Sequence, residues 1–158
     1  MERKKKIFAV ASIGGHWLQL LRIARPMEER YEVVYLCTHP KCATMVEGHE
    51  FLLIEDYSRW DAWKMIPAFF KMVRLIWREK PAAIMTTGAA PGLICLYAGK
   101  LLGRKTIWVD SIANVQHLSA SGRIARRFVS RIYTQWKDLA TPRVAFAGNI
   151  LGSEKSEK

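Results

Sequence analysis

His16 follows two glycines in the stretch VASIGGHWLQLLRI, residues 10–23, where an apolar run ends and a helical pattern begins. Gly14 and Gly15 can adopt backbone torsions that other residues avoid, and they let a ligand approach the main chain closely. At a helix start the imidazole of His16 stays neutral, and a neutral ring can accept the proton of a bound hydroxyl. Two interpretations are therefore open for His16: a general base, or a residue that only caps the turn.

A second glycine-containing loop is TTGAAPG, residues 86–92, in which Pro91 falls near the first turn of a predicted helix. Exposed N–H groups at a helix start favour an anion such as a phosphate. Neither loop has the G-x-G-x-x-G pattern or the lysine of a P-loop, so a dinucleotide or a nucleoside triphosphate is only weakly indicated. Together the loops predict an acceptor- or phosphate-binding site at Gly14, Gly15, Thr87 and Gly88.

A third polar stretch is DSIANVQHLSASG, residues 110–122. Ser111 and Asn114 provide neutral donors and acceptors that suit sugar hydroxyls. For Asp110, at the end of an apolar run, capping of the turn is the favoured interpretation and a second base is the alternative. The residues that follow predict a helix over 120–136 whose cationic ridge suits lipid headgroups, a diphosphate or an acidic partner; the ridge consists of Arg123, Arg126, Arg127 and Arg131.

Short apolar runs alternate with longer helical patterns along the chain, which is typical of an α/β protein with a doubly wound, Rossmann-like parallel sheet. Several runs are continuously apolar, as expected of strands covered on both faces. Ligands bind beyond the carboxyl ends of such strands, where all three loops would lie. The predicted strands are 6–12, 31–38, 51–56, 82–87 and 105–110, and the predicted helices are 16–30, 60–79, 91–102 and 120–136.

The length of 158 residues and the 50% hydrophobic content predict one domain over residues 1–150 and a disordered tail over 151–158. Lys and Arg outnumber Asp and Glu by 25 to 14, and the net charge of +11 indicates an anionic partner: nucleic acid, an acidic membrane surface or a phosphorylated substrate. Zinc-finger, RNA-recognition and helix-turn-helix signatures are absent, so nucleic acid is not the expected partner.

Three cysteines without a signal peptide indicate free thiols in a reducing cytosol and a protein that is not secreted. Cys37, His39 and Cys42 lie close together, but a structural zinc site needs a fourth ligand and none follows at a suitable spacing. No metal or cofactor is therefore expected.

The predicted helix over 60–79 has a stripe of charges and, opposite it, a broad apolar face that is rich in aromatic residues and includes Ile76. Charges interrupt it too often for a spanning helix, but they suit a helix lying in the membrane interface. A helix that merely covers the sheet is the alternative. Pro67 predicts a kink or a break between two shorter helices. The predicted membrane-binding residues are Trp60, Trp63, Lys64, Phe69, Phe70, Lys71, Arg74 and Trp77.

The stretches ASIGGHWLQLL, TTGAAPG and WVDSIANVQHLSASGRIARRFVSRIYTQW resemble one family, which comprises the PssD-type exopolysaccharide proteins and the eukaryotic asparagine-linked-glycosylation-fourteen subunit. The resemblance runs from about residue 6 to residue 148. Such proteins are similar to the N-terminal, acceptor-binding half of a GT-B glycosyltransferase that is split into two polypeptides. The sequence also resembles the MurG enzymes, whose first domain has two glycine-rich loops and a histidine at the place of His16.

The resemblance implies an inverting, metal-independent glycosyltransferase of two components, in which this chain binds the acceptor and the cytoplasmic face of the cell membrane. The donor would be a UDP-sugar held by a small partner subunit, the sugar glucuronic acid or N-acetylglucosamine, and the acceptor a polyprenyl-diphosphate-linked saccharide. The eukaryotic subunit begins with a membrane-spanning helix and this sequence does not, so we expect peripheral attachment. A non-catalytic membrane adaptor and a basic nucleic-acid-binding domain are the alternatives.

Overall fold

The structure, a computed structural model, describes residues 2–57 and 59–152. Strands and helices alternate along most of the described chain. The strands are β1 (Lys5–Ala11), β2 (Tyr31–Cys37), β3 (Phe51–Leu53), β4 (Ala83–Thr86), β5 (Lys105–Val109), β6 (Arg131–Thr134) and β7 (Ala145–Phe146). The helices are α1 (Gly15–Ala24), α2 (Met65–Glu79), α3 (Ala89–Leu101) and α4 (Ala120–Ala125), and shorter 3₁₀ segments are Arg25–Glu29, Pro40–Met45, Arg59–Lys64 and Lys137–Leu139.

The seven strands form one sheet in the order β3-β2-β1-β4-β5-β6-β7, and every neighbouring pair is parallel. The chain winds outward from β1 in one direction and then, from β4, in the other, so the predicted doubly wound α/β fold is confirmed. The order reverses between β1 and β4, and the carboxyl ends of these two strands flank a crevice in sheets of this kind.

Helices cover the sheet on both faces, which explains why its central strands are apolar throughout. Side chains alternate between two cores: Phe8 and Val10 of β1 pack with α2, α3 and α4, whereas Ile7 and Ala9 pack with α1. α1 buries one stripe with helical spacing, formed by Trp17, Leu20, Leu21 and Ala24. Because helices cover both faces of the sheet, the polar residues that could contact a ligand lie in the loops at the strand ends.

Two predicted helices begin or end differently from the expectation. The helix expected over 16–30 ends at Ala24 and continues as a 3₁₀ segment, because Pro26 has no N–H to donate to the preceding turn. The pattern over 60–79 divides into the 3₁₀ segment Arg59–Lys64 and α2. Pro67 lies in the first turn of α2, where backbone N–H groups have no partner within the helix. Its missing N–H therefore breaks no helical hydrogen bond, and the helix is not kinked there.

The prediction of one helix over 120–136 is wrong. α4 ends at Ala125, and the amides of Arg127 and Phe128 donate to Ile124 and Ala125 in tighter turns. Ser130 then bonds Thr106 through backbone and side chain, at 2.9 and 3.1 Å, which pins the chain against β5. The residues after Ser130 pair with β5 as strand β6, so Arg131 lies on a strand, whereas Arg123 lies on α4 and Arg126 and Arg127 follow that helix directly.

Strands β6 and β7 were not predicted from the sequence. Of the tail expected over 151–158, residues 153–158 lie outside the described part of the chain. Of the helices in the described part, none has the length and apolar composition that crossing a bilayer requires.

Candidate functional site

A cleft of about 200 Å³ lies at the carboxyl ends of β1, β4 and β5, where the strand order reverses. It brings together residues from all three polar stretches found in the sequence. The first contributes His16; the other lining residues are Thr87, Gly88, Ala89, Asp110, Ser111, Asn114, Ser119, Ala120 and Ser121. The position is the one at which open α/β sheets bind ligands.

The first glycine loop lies beside this cleft rather than in its lining. Gly14 precedes α1 with φ 104° and ψ −142°, a conformation that glycine alone adopts without strain. It has no side chain to cap the helix, and Gly15 is also exposed. The first N–H groups of α1 therefore stay open to an anionic group at this edge of the cleft.

His16 is half-buried and bonded to the second loop in both directions. Its Nδ1 lies 3.0 Å from the carbonyl oxygen of Thr87, and the Thr87 hydroxyl donates to the carbonyl oxygen of His16 at 2.6 Å. Thr87 is fully buried, so the two contacts form a closed pair that joins the start of α1 to the end of β4. The ring is thereby held at the mouth of the cleft.

Gly88 and Gly92 serve two different purposes in the second loop. A Cβ at Gly88 would lie 2.7 Å from Cε1 and Nδ1 of His16, so the absence of a side chain makes room for the imidazole. A Cβ at Gly92 would lie 2.1 Å from the hydroxyl of Thr86, so Gly92 lets α3 pack closely on β4. Between them Ala89 has φ 70°, an unfavourable value for alanine at the rim of the cleft.

Asp110 is buried, and its carboxylate accepts four hydrogen bonds. Oδ1 accepts from Trp108 Nε1 at 3.0 Å and from the Ser119 hydroxyl at 2.6 Å. Oδ2 accepts from Asn114 Nδ2 at 3.1 Å and from the Ser119 amide at 3.0 Å. Four donors use most of the carboxylate's acceptor sites, and all of them belong to β5 or to the loop that follows it.

Two buried glutamines that the sequence analysis missed hold the third loop in place. Gln19 donates to the Ser111 hydroxyl at 3.0 Å and accepts from the Ile112 amide. Gln135 donates to Gln19 at 2.8 Å and to the Asp110 carbonyl at 3.0 Å, and it accepts from the amide of Ile150. The only sequence signal was a glutamine among the apolar residues of α1, three positions after His16.

The exposed face of α2 carries large apolar side chains beside cations. Ile66, Phe70 and Trp77 are 61%, 63% and 68% exposed, and Trp63 in the preceding segment is 74% exposed. Lys64, Lys71 and Arg74 are also exposed, and Lys71 pairs with Glu55 at 2.7 Å. The side chain of Trp60 lies outside the described residues.

Two residues of the predicted apolar face of α2 turn toward the protein interior. Ile76 is fully buried and points at the sheet with Met72 and Ala68, four and eight residues earlier. Phe69 is half-buried, and its ring lies 5.7 Å from that of Tyr97 on α3. The exposed apolar stripe is therefore narrower than the predicted apolar face. A separate stripe of the same helix covers the sheet.

Cys37 and Cys42 contact each other inside the core, with 2.9 Å between their sulfurs. Burial and the neighbouring Cys37 raise the pKa of Cys42 to about 12. His39 instead accepts a hydrogen bond from the Lys41 amide at the start of a 3₁₀ segment. Within residues 2–57 and 59–152, no three His, Cys, Asp or Glu side chains form a cluster that could hold a metal ion.

A larger cavity of about 490 Å³ lies on the face of the sheet that α1 partly covers. Its walls come from α1, β5, β6 and the segment after β7, and its titratable lining residues are Arg22 and Tyr133. None of the residues predicted to take part in chemistry lines it. The smaller cleft at the strand ends is therefore the candidate functional site.

Comparison with known proteins connects this fold to oligosaccharide synthesis. Residues 58–150 match the family described as "Oligosaccharide biosynthesis protein Alg14 like". The sequence is 46% identical to the UDP-N-acetylglucosamine transferase subunit alg14 of Schizosaccharomyces pombe over 68 residues. That match covers 39% of this chain and 31% of the relative. The sequence is also 35% identical to the UDP-N-acetylglucosamine transferase subunit ALG14 of Yarrowia lipolytica over 92 residues. That match covers 53% of this chain and 43% of the relative.

Among solved structures, the chain is similar to Acinetobacter baumannii MurG with a TM-score of 0.78 and 15% identity. The similarity covers 98% of this chain and 50% of that one, so the fold is that of half a MurG molecule. The matches to the two curated relatives span less than half of their length. His16 lies outside the matched range 58–150 and lines the cleft together with residues inside that range.

Proposed function

Because the chain belongs to the Alg14-like family of oligosaccharide biosynthesis proteins, we propose that it is the acceptor- and membrane-binding subunit of a two-component, inverting glycosyltransferase. The single observation that carries the catalytic part is that His16, Thr87 and Gly88 line one cleft at the reversal of strand order, with Gly14 and Gly15 beside it. The two relatives are named as transferase subunits, which supports a second chain that would hold most of the donor.

In the proposed reaction His16 accepts the proton of an acceptor hydroxyl as its oxygen attacks the anomeric carbon of the UDP-sugar. The bond from that carbon to the UDP oxygen breaks, and UDP leaves with the electron pair. The open N–H groups at the start of α1 and the backbone around Gly88 receive the diphosphate of the lipid-linked acceptor, while Ser111 and Asn114 face its sugar. Asp110, with its carboxylate occupied by the loop, shapes the site rather than taking the proton.

The transferred sugar is proposed to be N-acetylglucosamine or glucuronic acid, and the names of the two relatives favour the first. The acceptor is proposed to be a polyprenyl-diphosphate-linked saccharide at the cytoplasmic face of the membrane. The exposed stripe of α2 supports attachment to an anionic lipid surface, because aromatic and cationic side chains side by side suit the headgroup region.

The test is a transfer assay on membranes that contain a polyprenyl-diphosphate-linked saccharide, with UDP-N-acetylglucosamine and UDP-glucuronic acid as donors. The chain is assayed alone and with a donor-binding glycosyltransferase subunit. We expect transfer only with both chains, and a loss of about 100-fold or more in kcat for His16→Ala. His117→Ala is the matched control, because His117 is exposed and lies outside the cleft lining.

Other outcomes would replace the proposal. Vesicle binding without transfer would leave a membrane adaptor, and near-normal turnover of His16→Ala would remove His16 from the chemistry. Retention on an oligonucleotide without vesicle binding would favour the nucleic-acid-binding alternative.

A further inference from the structure

We propose that Thr87 is the positioning residue for His16: it keeps the ring proton on Nδ1 and so leaves Nε2 as the nitrogen that accepts the proton of the attacking hydroxyl. The inference deepens the proposed function, on which it rests for the assignment of His16 as a base. The tautomer itself is a property of the isolated chain, and it can be measured without any transfer reaction.

The contact at Nδ1 decides where the proton of the neutral ring lies. A backbone carbonyl oxygen can only accept a hydrogen bond, so the 3.0 Å contact between Nδ1 and the Thr87 oxygen requires the proton to be on Nδ1. Nε2 then carries the lone pair. Among the described residues no hydrogen-bonding group is paired with Nε2, and the ring lines the cleft.

The hydroxyl of Thr87 makes this arrangement rigid. It donates to the His16 carbonyl at 2.6 Å, so each of the two residues contributes a carbonyl and a side chain to a closed pair. Thr87 is fully buried, which shields both bonds from competition with water. A ring that is free to rotate would present either nitrogen to the cleft, whereas this pair selects one.

Gly88 completes the arrangement from the other side of the ring. A Cβ there would lie 2.7 Å from both Nδ1 and Cε1 but 3.5 Å from Nε2. The backbone of Gly88 therefore packs against the Nδ1 edge of the imidazole and leaves the opposite edge clear. The loop between β4 and α3 thus fixes the position, the orientation and the tautomer of the ring.

Nitrogen-15 NMR of the isolated chain, labelled at histidine, tests the inference under conditions in which His16 is neutral. We expect the chemical shifts of His16 to show a protonated Nδ1 and an unprotonated Nε2. Thr87→Val keeps the shape of the side chain but removes the donor, and it should convert the single pattern into an average of both tautomers. Thr87→Ser should restore the single pattern.

Two further variants keep the test decisive if Thr87→Val folds poorly. Gly88→Ala displaces the ring directly and should produce the same averaging. Thr106→Val removes another fully buried, hydrogen-bonded threonine hydroxyl on β5, where it bonds Ser130, and should leave the His16 signals unchanged. A proton on Nε2 in the unaltered chain, or an unchanged pattern in both Thr87→Val and Gly88→Ala, would overturn the inference.

In the two-chain assay, Thr87→Val should lower kcat about tenfold, with little change in the KM for the UDP-sugar, because it alters a proton acceptor rather than a binding contact. Thr87→Ser should recover most of the loss. The two proposals fail separately: active His16→Ala rejects the base whatever the tautomer, and a proton on Nε2 rejects the positioning whatever the activity.

Discussion

At the scale of single residues, the cleft contains two titratable side chains with opposite surroundings. His16 makes one hydrogen bond through its ring and keeps the other nitrogen unpaired among the described residues, whereas the carboxylate of Asp110 accepts four. A group that exchanges a proton with substrate needs a lone pair facing the substrate. That criterion supports the proposal that His16 is the base, whereas the four bonds of Asp110 hold the loop after β5 in shape.

This difference predicts the behaviour of Asp110→Asn. The NH₂ group of the new side chain would replace an oxygen that now accepts two hydrogen bonds, and it would face their donors. We therefore expect the free energy of unfolding to fall by about 1–3 kcal/mol. The kcat of the folded fraction should keep the same dependence on pH as the unaltered chain. Urea unfolding and a pH–rate profile check the two statements, with the exposed Asp138→Asn as the control. A lost acidic limb in the profile would instead make Asp110 a base.

Sequence patterns identified much of the site, because its key residues lie at strand ends and helix starts that can be read locally. His16, Thr87, Gly88, Asp110, Ser111 and Asn114 all line the cleft. The Gln19–Gln135 pair was not predictable, since it joins residues 116 positions apart that meet only when β5 and β6 are side by side. A side-chain amide carries no sequence signal for such a partner.

At the scale of elements, α2 has two apolar stripes. Ala68, Met72 and Ile76 pack on the sheet, while Ile66, Phe70 and Trp77 face outward. The apolar surface over 60–79 therefore exceeds what covering the sheet requires. The outward stripe stays largely exposed, although the ring of Phe70 contacts that of Phe69 at 5.5 Å. Polar substitution there should therefore cost little stability.

We accordingly expect Phe70→Ser and Trp77→Ser each to weaken binding to anionic vesicles about tenfold while the melting temperature stays nearly constant. Sedimentation with vesicles of phosphatidylserine and phosphatidylcholine measures the first effect, and thermal unfolding measures the second. Leu18→Gln is a matched control, since Leu18 is 54% exposed on α1, on the other face of the sheet. Equal loss of binding in the control would contradict a membrane surface on α2.

An ion pair between β1 and the end of α2 gives a second prediction at this scale. Lys6 Nζ lies 2.8 Å from Glu79 Oε2, and each side chain is only 17% exposed. The hydrogen bond from Lys6 lowers the pKa of Glu79 below its ordinary value of 4.5, so folding favours the ionised form. The stabilisation is therefore complete above pH 4.5 and is lost as the pH falls through the folded-state value.

Glu79→Gln should lower the free energy of unfolding by about 1 kcal/mol near neutral pH, and the difference from the unaltered chain should shrink in acid. Denaturant unfolding at a series of pH values measures it. Glu55→Gln breaks the more exposed pair with Lys71 and should cost less. A difference for Glu79→Gln that grows towards low pH would reverse the assigned sign.

The elements themselves were predictable to unequal degrees. The five predicted strands were all found, although β3 covers only Phe51–Leu53 of the predicted 51–56 and is not buried. The other four contain buried apolar residues in runs that are visible in the sequence. The prediction of one helix over 120–136 was wrong because arginines spaced four residues apart fit a helix. The reciprocal bonds between Ser130 and Thr106, and the pairing with β5, instead make the end of this region a strand. Tertiary pairing overrode a local pattern there.

At the scale of the whole molecule, a net charge of +11 must be reconciled with an exposed aromatic stripe. Charge alone attracts any polyanion, and the attraction weakens as salt shortens the distance over which charges interact, to about 10 Å at 0.1 M. Apolar insertion into a bilayer does not weaken in this way. Salt dependence therefore separates a membrane protein from a general polyanion binder with the same charge.

Binding to phosphatidylserine vesicles should fall with salt but retain a residual component at about 0.5 M, and that component should vanish in the double variant Phe70→Ser, Trp77→Ser. Binding to a single-stranded oligonucleotide should disappear as salt rises to about 0.5 M. The two substitutions should not change it, since only the cationic side chains take part. Fluorescence anisotropy of labelled oligonucleotide and vesicle sedimentation, measured in the same buffers, compare the two. An aromatic-dependent, salt-resistant component with the oligonucleotide would assign the stripe of α2 to nucleobases instead of lipid.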